Sequence, residues 1–242
     1  MAEHEPEGGE QSFLSHLIEL RERLLKAVAA VLLILVALIP IANRLYAWLA
    51  LPLIKHLPQG GTMIATEIAS PFLTPIKLAF FVALFIAMPF ILYQLWAFIS
   101  PALTRRERKY ALPFTLLGVG LFFVGITVGF IVLRYPIDWL VTFGSDRFLL
   151  LTDADSYFTF VTYFLLAFAI VFELPLVLTF MSVVGIISST MLRQKRMVIL
   201  FGLWFLSCFI TPGADPFSPV IIGVSFTVLF ELSILLMRAI GR

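Results

Sequence analysis

The chain has little charge and almost no cysteine. Only 13% of its 242 residues are charged, whereas 61% are hydrophobic, and the mean hydropathy is +1.03. Soluble domains carry about 25% charged and about 45–50% apolar residues, so a soluble fold is excluded and lipid must solvate much of the surface. The single cysteine, Cys208, excludes an internal disulfide, and the three histidines have no metal-ligand spacing.

Common enzyme motifs are missing as well. The chain has no Gly-x-x-x-x-Gly-Lys-Ser/Thr phosphate loop, no His-Glu-x-x-His zinc motif and no Gly-x-Ser-x-Gly nucleophile elbow. We therefore expect a protein that is not an enzyme, that binds no metal or other cofactor, and that takes its energy from a partner or from the membrane gradient. The small net charge of +2 does not indicate a nucleic-acid partner.

Six apolar stretches approach the ~20 residues that a membrane-spanning helix needs. In chain order they are Leu24–Ile41, Ile76–Ile99, Ala111–Leu133, Tyr157–Val184, Met197–Ile210 and Val220–Met237. They predict an all-α polytopic membrane protein with six transmembrane helices, in which residues 1–242 form a single integral membrane domain. The last two helices are predicted to be short.

The distribution of basic residues predicts the orientation. Most arginines and lysines precede the first span, lie between spans two and three or four and five, or follow the last span. Because basic loops stay in the cytoplasm, both termini are predicted to be cytoplasmic. Residues 1–12 hold four glutamates and no basic stretch, so we expect a disordered acidic tail there rather than a signal peptide.

Residues 13–26 are predicted to form a cytoplasmic amphipathic helix, since their leucines recur at helical spacing. Glu19 lies four residues before Arg23, which fits a surface ion pair. Glu107 lies in a loop among four basic residues and fits an ordinary counter-charge. Both acids can equally serve a binding role on this basic surface.

Two further features lie inside the predicted spans. Glu173 is an acid within the fourth span, where an ionised carboxylate costs roughly 2.5–3.5 kcal/mol at the centre of a helix, and Pro175 follows it. It fits either a structural hydrogen bond or a polar groove. Glycines 125 and 129 form a Gly-x-x-x-Gly pattern that favours close helix packing within one chain.

Several segments are similar to motifs of the TatC family, the polytopic receptor subunit of twin-arginine protein translocases. They are Ser15–Leu24 (SHLIELRERL), Thr62–Lys77, Pro89–Leu103, Glu107-Arg-Lys and Phe168–Pro175 (FAIVFELP). The likeness extends over nearly the whole chain. It implies a receptor in the bacterial inner membrane that binds the twin-arginine signal peptides of folded proteins and nucleates assembly of the translocation complex.

The resemblance also implies roles for particular residues. Glu19 and Glu107 match the family's signal-peptide carboxylates, and Arg21 and Phe98 match positions near the same surface, where Arg21 either orients Glu19 or contacts the membrane. Glu173 matches an acidic or amide position within the fourth span. Asp215 and Thr211 resemble a family turn between spans five and six, where an added residue changes the local pattern and a plain turn cap remains an alternative for Asp215.

The family further implies partners and an energy source. The partners are single-span subunits of the TatA and TatB type and further copies of the chain within one complex, and the energy source is the proton-motive force. An ion-coupled secondary transporter of a small solute is the alternative function, because Glu173 and Glu231 are intramembrane acids. Such transporters usually show inverted repeats, and this sequence has no internal symmetry of that kind.

Overall fold

The computed structural model describes residues 7–56, 63–99, 111–143, 152–213 and 215–239. Within these ranges the chain is helical throughout apart from its short connections. The helices are α1 (Glu7–Leu38), α2 (Ala42–His56), α3 (Ser70–Ile99), α4 (Ala111–Val132), α5 (Arg134–Thr142), α6 (Ala154–Phe172), α7 (Leu174–Val183), α8 (Ser189–Gln194), α9 (Arg196–Ile210) and α10 (Phe217–Ala239). Five helical segments are long and apolar enough to cross a membrane, and α9 is a shorter apolar helix. The predicted all-α membrane fold is confirmed.

The helices run between two ends of the bundle, which we call the near end and the far end. The near end consists of the first turns of α1 from His16, the last turns of α3 and α10, and the start of α9. The far end consists of α2, α5 and the starts of α3 and α6. Helix α1 runs from the near end to a 3-10 turn at Ile39–Ile41, which contains Pro40 and redirects the chain into α2.

Two helix bounds differ from the prediction. Helix α10 has 23 residues, so only α9 of the last two helices is short. The reason is that the buried carboxylate of Asp215 accepts hydrogen bonds of 2.7 Å from both Ser218 N and Ser218 Oγ, which caps a helix that starts at Phe217. Helix α1 begins at Glu7, so residues 7–12 of the predicted disordered tail are helical, continuous with the amphipathic segment.

The core lies around α6, whose aromatic side chains Phe164 and Phe168 are fully buried. Helix α4 approaches this core closely at its two spaced glycines. A Cβ atom at Gly125 would lie 2.8 Å from the backbone oxygen of Phe168, and one at Gly129 would lie 3.0 Å from the Phe168 Cβ. The Gly-x-x-x-Gly pattern therefore packs α4 on α6 within one chain, as predicted.

Two connections are joined at the far end. Ile64 N donates to Thr152 O at 3.0 Å, and Ala154 N donates to Ile64 O at 2.9 Å. Asp153 completes the junction, because its Oδ1 accepts from Thr66 N and Oγ1 while its Oδ2 accepts from Ser156 N and Oγ. The segment before α3 is thus fixed to the first turn of α6.

The Asp153 junction gives a pH-dependent prediction. The hydrogen bond from the backbone N–H of Ser156, together with those from the Ser156 and Thr66 side chains, holds the pKa of Asp153 below its ordinary value of 3.8, although burial of the carboxylate opposes this. A lowered folded-state pKa means that the stabilisation is complete above the ordinary value and is lost as pH falls through the lower, folded-state value. We expect the protection factors of the amides at residues 64–66 and 154–157, which are exchange rates corrected for the intrinsic effect of pH, to stay constant down to about pH 4 and to fall below it.

The matched substitution is Asp153→Ala, which should accelerate the same amides at neutral pH because the helix loses its N-terminal cap, a loss of about 1 kcal/mol. Exchange at these amides that is unchanged by Asp153→Ala would contradict the assignment.

Candidate functional site

The near ends of α1 and α3 hold a group of polar side chains centred on Glu19. Arg23 Nε and Nη2 donate hydrogen bonds of 2.9 and 2.6 Å to Glu19 Oε1, so the predicted pair at i and i+4 is formed. Arg23 Nη1 also reaches Gln94 Oε1 on α3 at 3.5 Å. This contact ties the Glu19 carboxylate, through Arg23, to the neighbouring span.

Among the described side chains, none donates a hydrogen bond to the second oxygen of Glu19. Its Oε2 lies 3.9 Å from His16 Nδ1, and the Glu19 side chain keeps 32% of its surface exposed. The His16 ring stacks on Phe98 at a centroid distance of 4.3 Å. Because one oxygen is already fixed by Arg23, the other is presented in a defined direction beside an aromatic surface.

An apolar groove lies directly beside this carboxylate. It has a volume of about 120 Å³ between α1 and α3 and is lined by Leu20, Arg23, Leu24, Ala27, Ile91, Gln94, Leu95 and Phe98. A ligand with a cation followed by apolar groups could therefore contact Glu19 and this groove at once.

The other predicted residues of this surface have different positions. Arg21 is exposed, and helical geometry places it on the opposite side of α1 from Glu19 and Arg23. The orientation of Glu19 is therefore set by Arg23, and the suggestion that Arg21 orients Glu19 is wrong. Glu107 lies outside the described residues. Sequence reasoning missed His16 and Gln94 as members of the site, although an amide inside a predicted span was an available signal for Gln94.

Glu173 lies at a break in the fourth span, between α6 and α7. The break falls two residues before Pro175, which cannot donate a backbone hydrogen bond. Both Glu173 carboxyl oxygens are buried, and neither has a hydrogen-bond partner among the described residues. Unpaired polar atoms are rare and costly in such surroundings, so this carboxyl is an unmet hydrogen-bonding group in the membrane interior.

The surroundings of Glu173 connect it to α3 and α4. A Cβ atom at Gly118 would lie 3.3 Å from Glu173 Oε2, 2.9 Å from Leu176 and 3.4 Å from Leu92. The absence of a side chain at Gly118 thus leaves room for the Glu173 carboxyl group. Leu92 is two residues before Gln94, so the space at Gly118 is bordered both by Glu173 and by the near-end segment of α3 that contacts the Glu19 group.

Thr211 and Asp215 both have local structural contacts at the far turn between α9 and α10. Thr211 Oγ1 donates to Ser207 O at 2.7 Å at the end of α9. Asp215 caps α10 and is buried. The turn packs tightly on α6, because a Cβ atom at Gly213 would lie 2.7 Å from Phe160 and 2.9 Å from Asp215 Oδ2.

Helix α9 is packed on one side only. The indole Nε1 of its Trp204 donates a hydrogen bond to Thr227 Oγ1 on α10 at 3.1 Å. The same ring packs so closely on Gly223 of α10 that a Cβ atom there would collide with it. Arg196 at its near end pairs with Glu231, with Nε 2.9 Å from Oε1. The opposite face is an exposed apolar stripe with helical spacing, which we call the α9 stripe: Met197, Val198, Phe201, Phe205 and Phe209.

Comparison with known proteins identifies the family. A family model described as Sec-independent protein translocase protein (TatC) matches residues 15–237. The chain belongs to the TatC family. The matched range includes Glu19, Phe98, Glu107, Glu173 and Asp215, so the sequence-based recognition is confirmed over nearly the whole chain.

Individual relatives agree with the family match. The Sec-independent protein translocase protein TatC of Escherichia coli (strain K12) is 40% identical over 229 residues, which cover 94% of this chain and 88% of that protein. The TatC protein of Haemophilus influenzae is 38% identical and covers 94% of this chain and 89% of its own length. A crystal structure of the twin-arginine translocase receptor TatC superposes with a TM-score of 0.80 at 30% identity, covering 94% of this chain and 100% of that one. The TatC family is a protein-transport family, which leaves the small-solute transporter alternative without support.

Proposed function

We propose that this chain is the core receptor of a twin-arginine translocase, which binds the signal peptides of folded proteins at its near end and nucleates the export complex. The observation that carries the proposal is the Glu19 group. One Glu19 oxygen is fixed by Arg23, and the other is presented beside an apolar groove. A signal peptide with paired arginines followed by an apolar stretch has the complementary chemistry.

Arginine suits this carboxylate better than lysine does. A guanidinium group offers planar, parallel N–H donors that meet carboxylate oxygens in pairs, whereas an ammonium group is a point charge. We propose that Glu19 and Glu107 each receive one arginine of the pair, with Phe98 packing against the peptide. Arg21, on the other side of α1, contacts the membrane surface.

The near end is proposed to face the cytoplasm of a bacterial cell, with the chain in the inner membrane and both termini inside. The basic residues support this orientation, because they are concentrated at the termini and the loops of that end. The residues 1–242 then form one integral membrane domain.

Glu173 is proposed to take part in the step after capture. The apolar part of the signal peptide enters between the helices next to α3, where backbone or side-chain donors of the cargo or of a partner satisfy the buried carboxyl. The space at Gly118 supports this sequence of steps, since it is bordered by Glu173 and by Leu92, which is two residues before the Gln94 that joins the Glu19 group.

The α9 stripe is proposed to receive single-span partner subunits of the TatA and TatB type, and the complex contains several copies of this chain and uses the proton-motive force. Helix α9 has only 15 residues, about 22 Å at 1.5 Å per residue, against a hydrocarbon core of about 30 Å. A neighbouring span would shelter it from this mismatch. Thr211 and Asp215 shape the far turn that such a partner would contact.

The natural cysteine provides a test of this contact. Cys208 is exposed on α9, so oxidation should join it to a single cysteine placed in the far half of the partner's span. Absence of the disulfide when the cysteine is moved along a full helical turn of the partner would rule out docking on α9.

The receptor function is tested by peptide binding in nanodiscs. A labelled peptide with paired arginines should bind, and Glu19→Gln should weaken binding about 10- to 100-fold, the loss expected for one charge-assisted hydrogen bond. Glu22→Gln is the matched control, because it removes the same charge from an exposed position on the same helix and should leave binding unchanged. A paired-lysine peptide that binds as tightly as the paired-arginine one would contradict the proposal.

A further inference from the structure

A large apolar cavity lies in the far half of the bundle, away from the Glu19 group. It has a volume of about 370 Å³ between α3, α4 and α6 and lies under α2. Its wall is formed by Trp48, Leu49, Leu78, Phe81, Val82, Phe85, Ile126, Thr127, Phe130, Ile131, Val161, Thr162 and Leu165. Cavities of this size are in the range of ligand sites.

The wall offers almost no polar contact to an occupant. Apart from the indole N–H of Trp48, the polar side chains in it are two threonines, and both hydroxyls are used by their own helices. Thr127 Oγ1 donates to Phe123 O at 2.8 Å, and Thr162 Oγ1 donates to Phe158 O at 2.6 Å. Apolar cavities of this kind exclude water and accept hydrocarbon.

The side of the cavity that Trp48 and Phe130 line, which we call its mouth, has an arginine one helical turn from each of these two rings. Trp48 of α2 stacks on Phe130 of α4 with ring centroids 6.1 Å apart. Arg44 lies one turn before Trp48 on the same exposed face of α2, and Arg134 lies one turn after Phe130. Tryptophan and tyrosine concentrate at the headgroup level of a bilayer, so Trp48 and Tyr135 place this mouth at the membrane surface.

The two arginines are available to an anion. Both are exposed, and Arg44 has no carboxylate within ion-pair distance among the described side chains. Arg134 uses one of its donors, Nη2, for Tyr135 OH at 2.8 Å. Asp138, one turn further along α5, is the nearest acid on its own helix and contributes to the field at Arg134.

We propose that this cavity binds an acyl chain of an anionic phospholipid whose phosphate is held by Arg44 and Arg134. Charge complementarity at the mouth and hydrocarbon complementarity inside both fit this one ligand. This inference concerns the far half of the bundle and does not depend on signal-peptide binding.

The experiment is native mass spectrometry of the full chain, purified in mild detergent and incubated with phosphatidylglycerol or phosphatidylcholine of identical acyl chains. The wild-type protein should retain one phosphatidylglycerol and little phosphatidylcholine. The double variant Arg44→Gln/Arg134→Gln should bind phosphatidylglycerol more weakly, by about five- to tenfold for each arginine. Arg238→Gln, at the near end, removes one equal charge and should leave retention unchanged.

A second variant tests the cavity rather than the charge. Val82→Trp places a large side chain in the space and should prevent retention of phosphatidylglycerol while both arginines remain. Equal retention of the two lipids by the wild-type protein, a comparison that requires no variant to fold, would overturn the proposal. So would a Val82→Trp protein that keeps its lipid but no longer exports cargo, since the cavity would then accept an apolar side chain of cargo or partner.

Discussion

Replacing Glu173 by methionine is expected to make the purified protein more stable and to stop the export of folded cargo. In the structure both carboxyl oxygens are buried without a hydrogen-bond partner among the described residues. An apolar side chain of similar length removes this unmet group, which should raise the free energy of unfolding by about 1–3 kcal/mol. Export should fall more than tenfold, because the proposed function uses this carboxyl to meet donors of the incoming segment.

Both effects can be measured on the same variants. Thermal unfolding in detergent reports stability, and appearance of a folded fluorescent reporter outside the cytoplasm, carried by a twin-arginine signal, reports export. Glu173→Gln keeps a polar group and should retain part of the export. Glu231→Met is the matched control. Glu231 is a second acid inside a span, and its Oε1 is also buried without a hydrogen bond among the described residues, but that oxygen lies 2.9 Å from the Nε of half-exposed Arg196. The nearby cation compensates the carboxylate, so its loss should change stability by less than about 1 kcal/mol.

The export assay and the unfolding temperature distinguish two ways in which the prediction for Glu173 could fail. Normal export by Glu173→Met would remove Glu173 from the transport step while leaving the receptor site intact. A lower unfolding temperature for the same variant would mean that the carboxyl has a stabilising partner in the membrane.

Gly125→Ala is expected to destabilise the protein strongly, whereas Gly120→Ala on the same helix is not. A Cβ atom at position 125 would lie 2.8 Å from the backbone oxygen of Phe168 and 3.0 Å from the Cα of Ala169. These backbone atoms cannot move aside without shifting α6. The cost should be about 1–3 kcal/mol, as for overpacked cores, and larger for Gly125→Leu.

Position 120 provides the control because a Cβ atom there meets nothing within 4 Å. Gly120→Ala should be neutral or should stabilise the helix by up to about 1 kcal/mol, since alanine restricts the unfolded chain. The comparison is made by thermal unfolding of the two variants in the same detergent. Equal unfolding temperatures would mean that α4 and α6 separate more easily than the structure indicates.

Much of the fold follows from periodic and compositional signals. The long apolar runs predicted the spans because a bilayer requires about 20 apolar residues per helix, and five of them are found as long helices with α9 as the short one. The length of α10 could not be predicted in this way, since it depends on the Asp215 cap rather than on hydropathy. The start of α1 at Glu7 could not be predicted from composition either, because residues 7–12 are helical as an extension of the amphipathic segment that follows them.

The candidate site was predicted in its residue types and in the Glu19–Arg23 pair, but not in its contacts between helices. The motif around Glu19 and the acid at position 173 were visible as charges in unfavourable surroundings and as parts of a family pattern. That Arg23, His16 and Gln94 fix the direction of Glu19 depends on how α1 packs against α3. The position of Glu173 beside Gly118 depends on the crossing of α4 with the broken fourth span.

The sequence by itself therefore determined that this protein lies in a membrane, roughly where its apolar spans lie, which family it belongs to and which acids are unusual. The reason is that burial in lipid acts on each segment separately, through its own hydropathy and charge. Only the tertiary structure decided which oxygen of Glu19 is bound by Arg23, that Glu173 has no described partner, and that α3, α4 and α6 leave a cavity under α2. These features arise from contacts between helices far apart in the chain, and no local pattern records them.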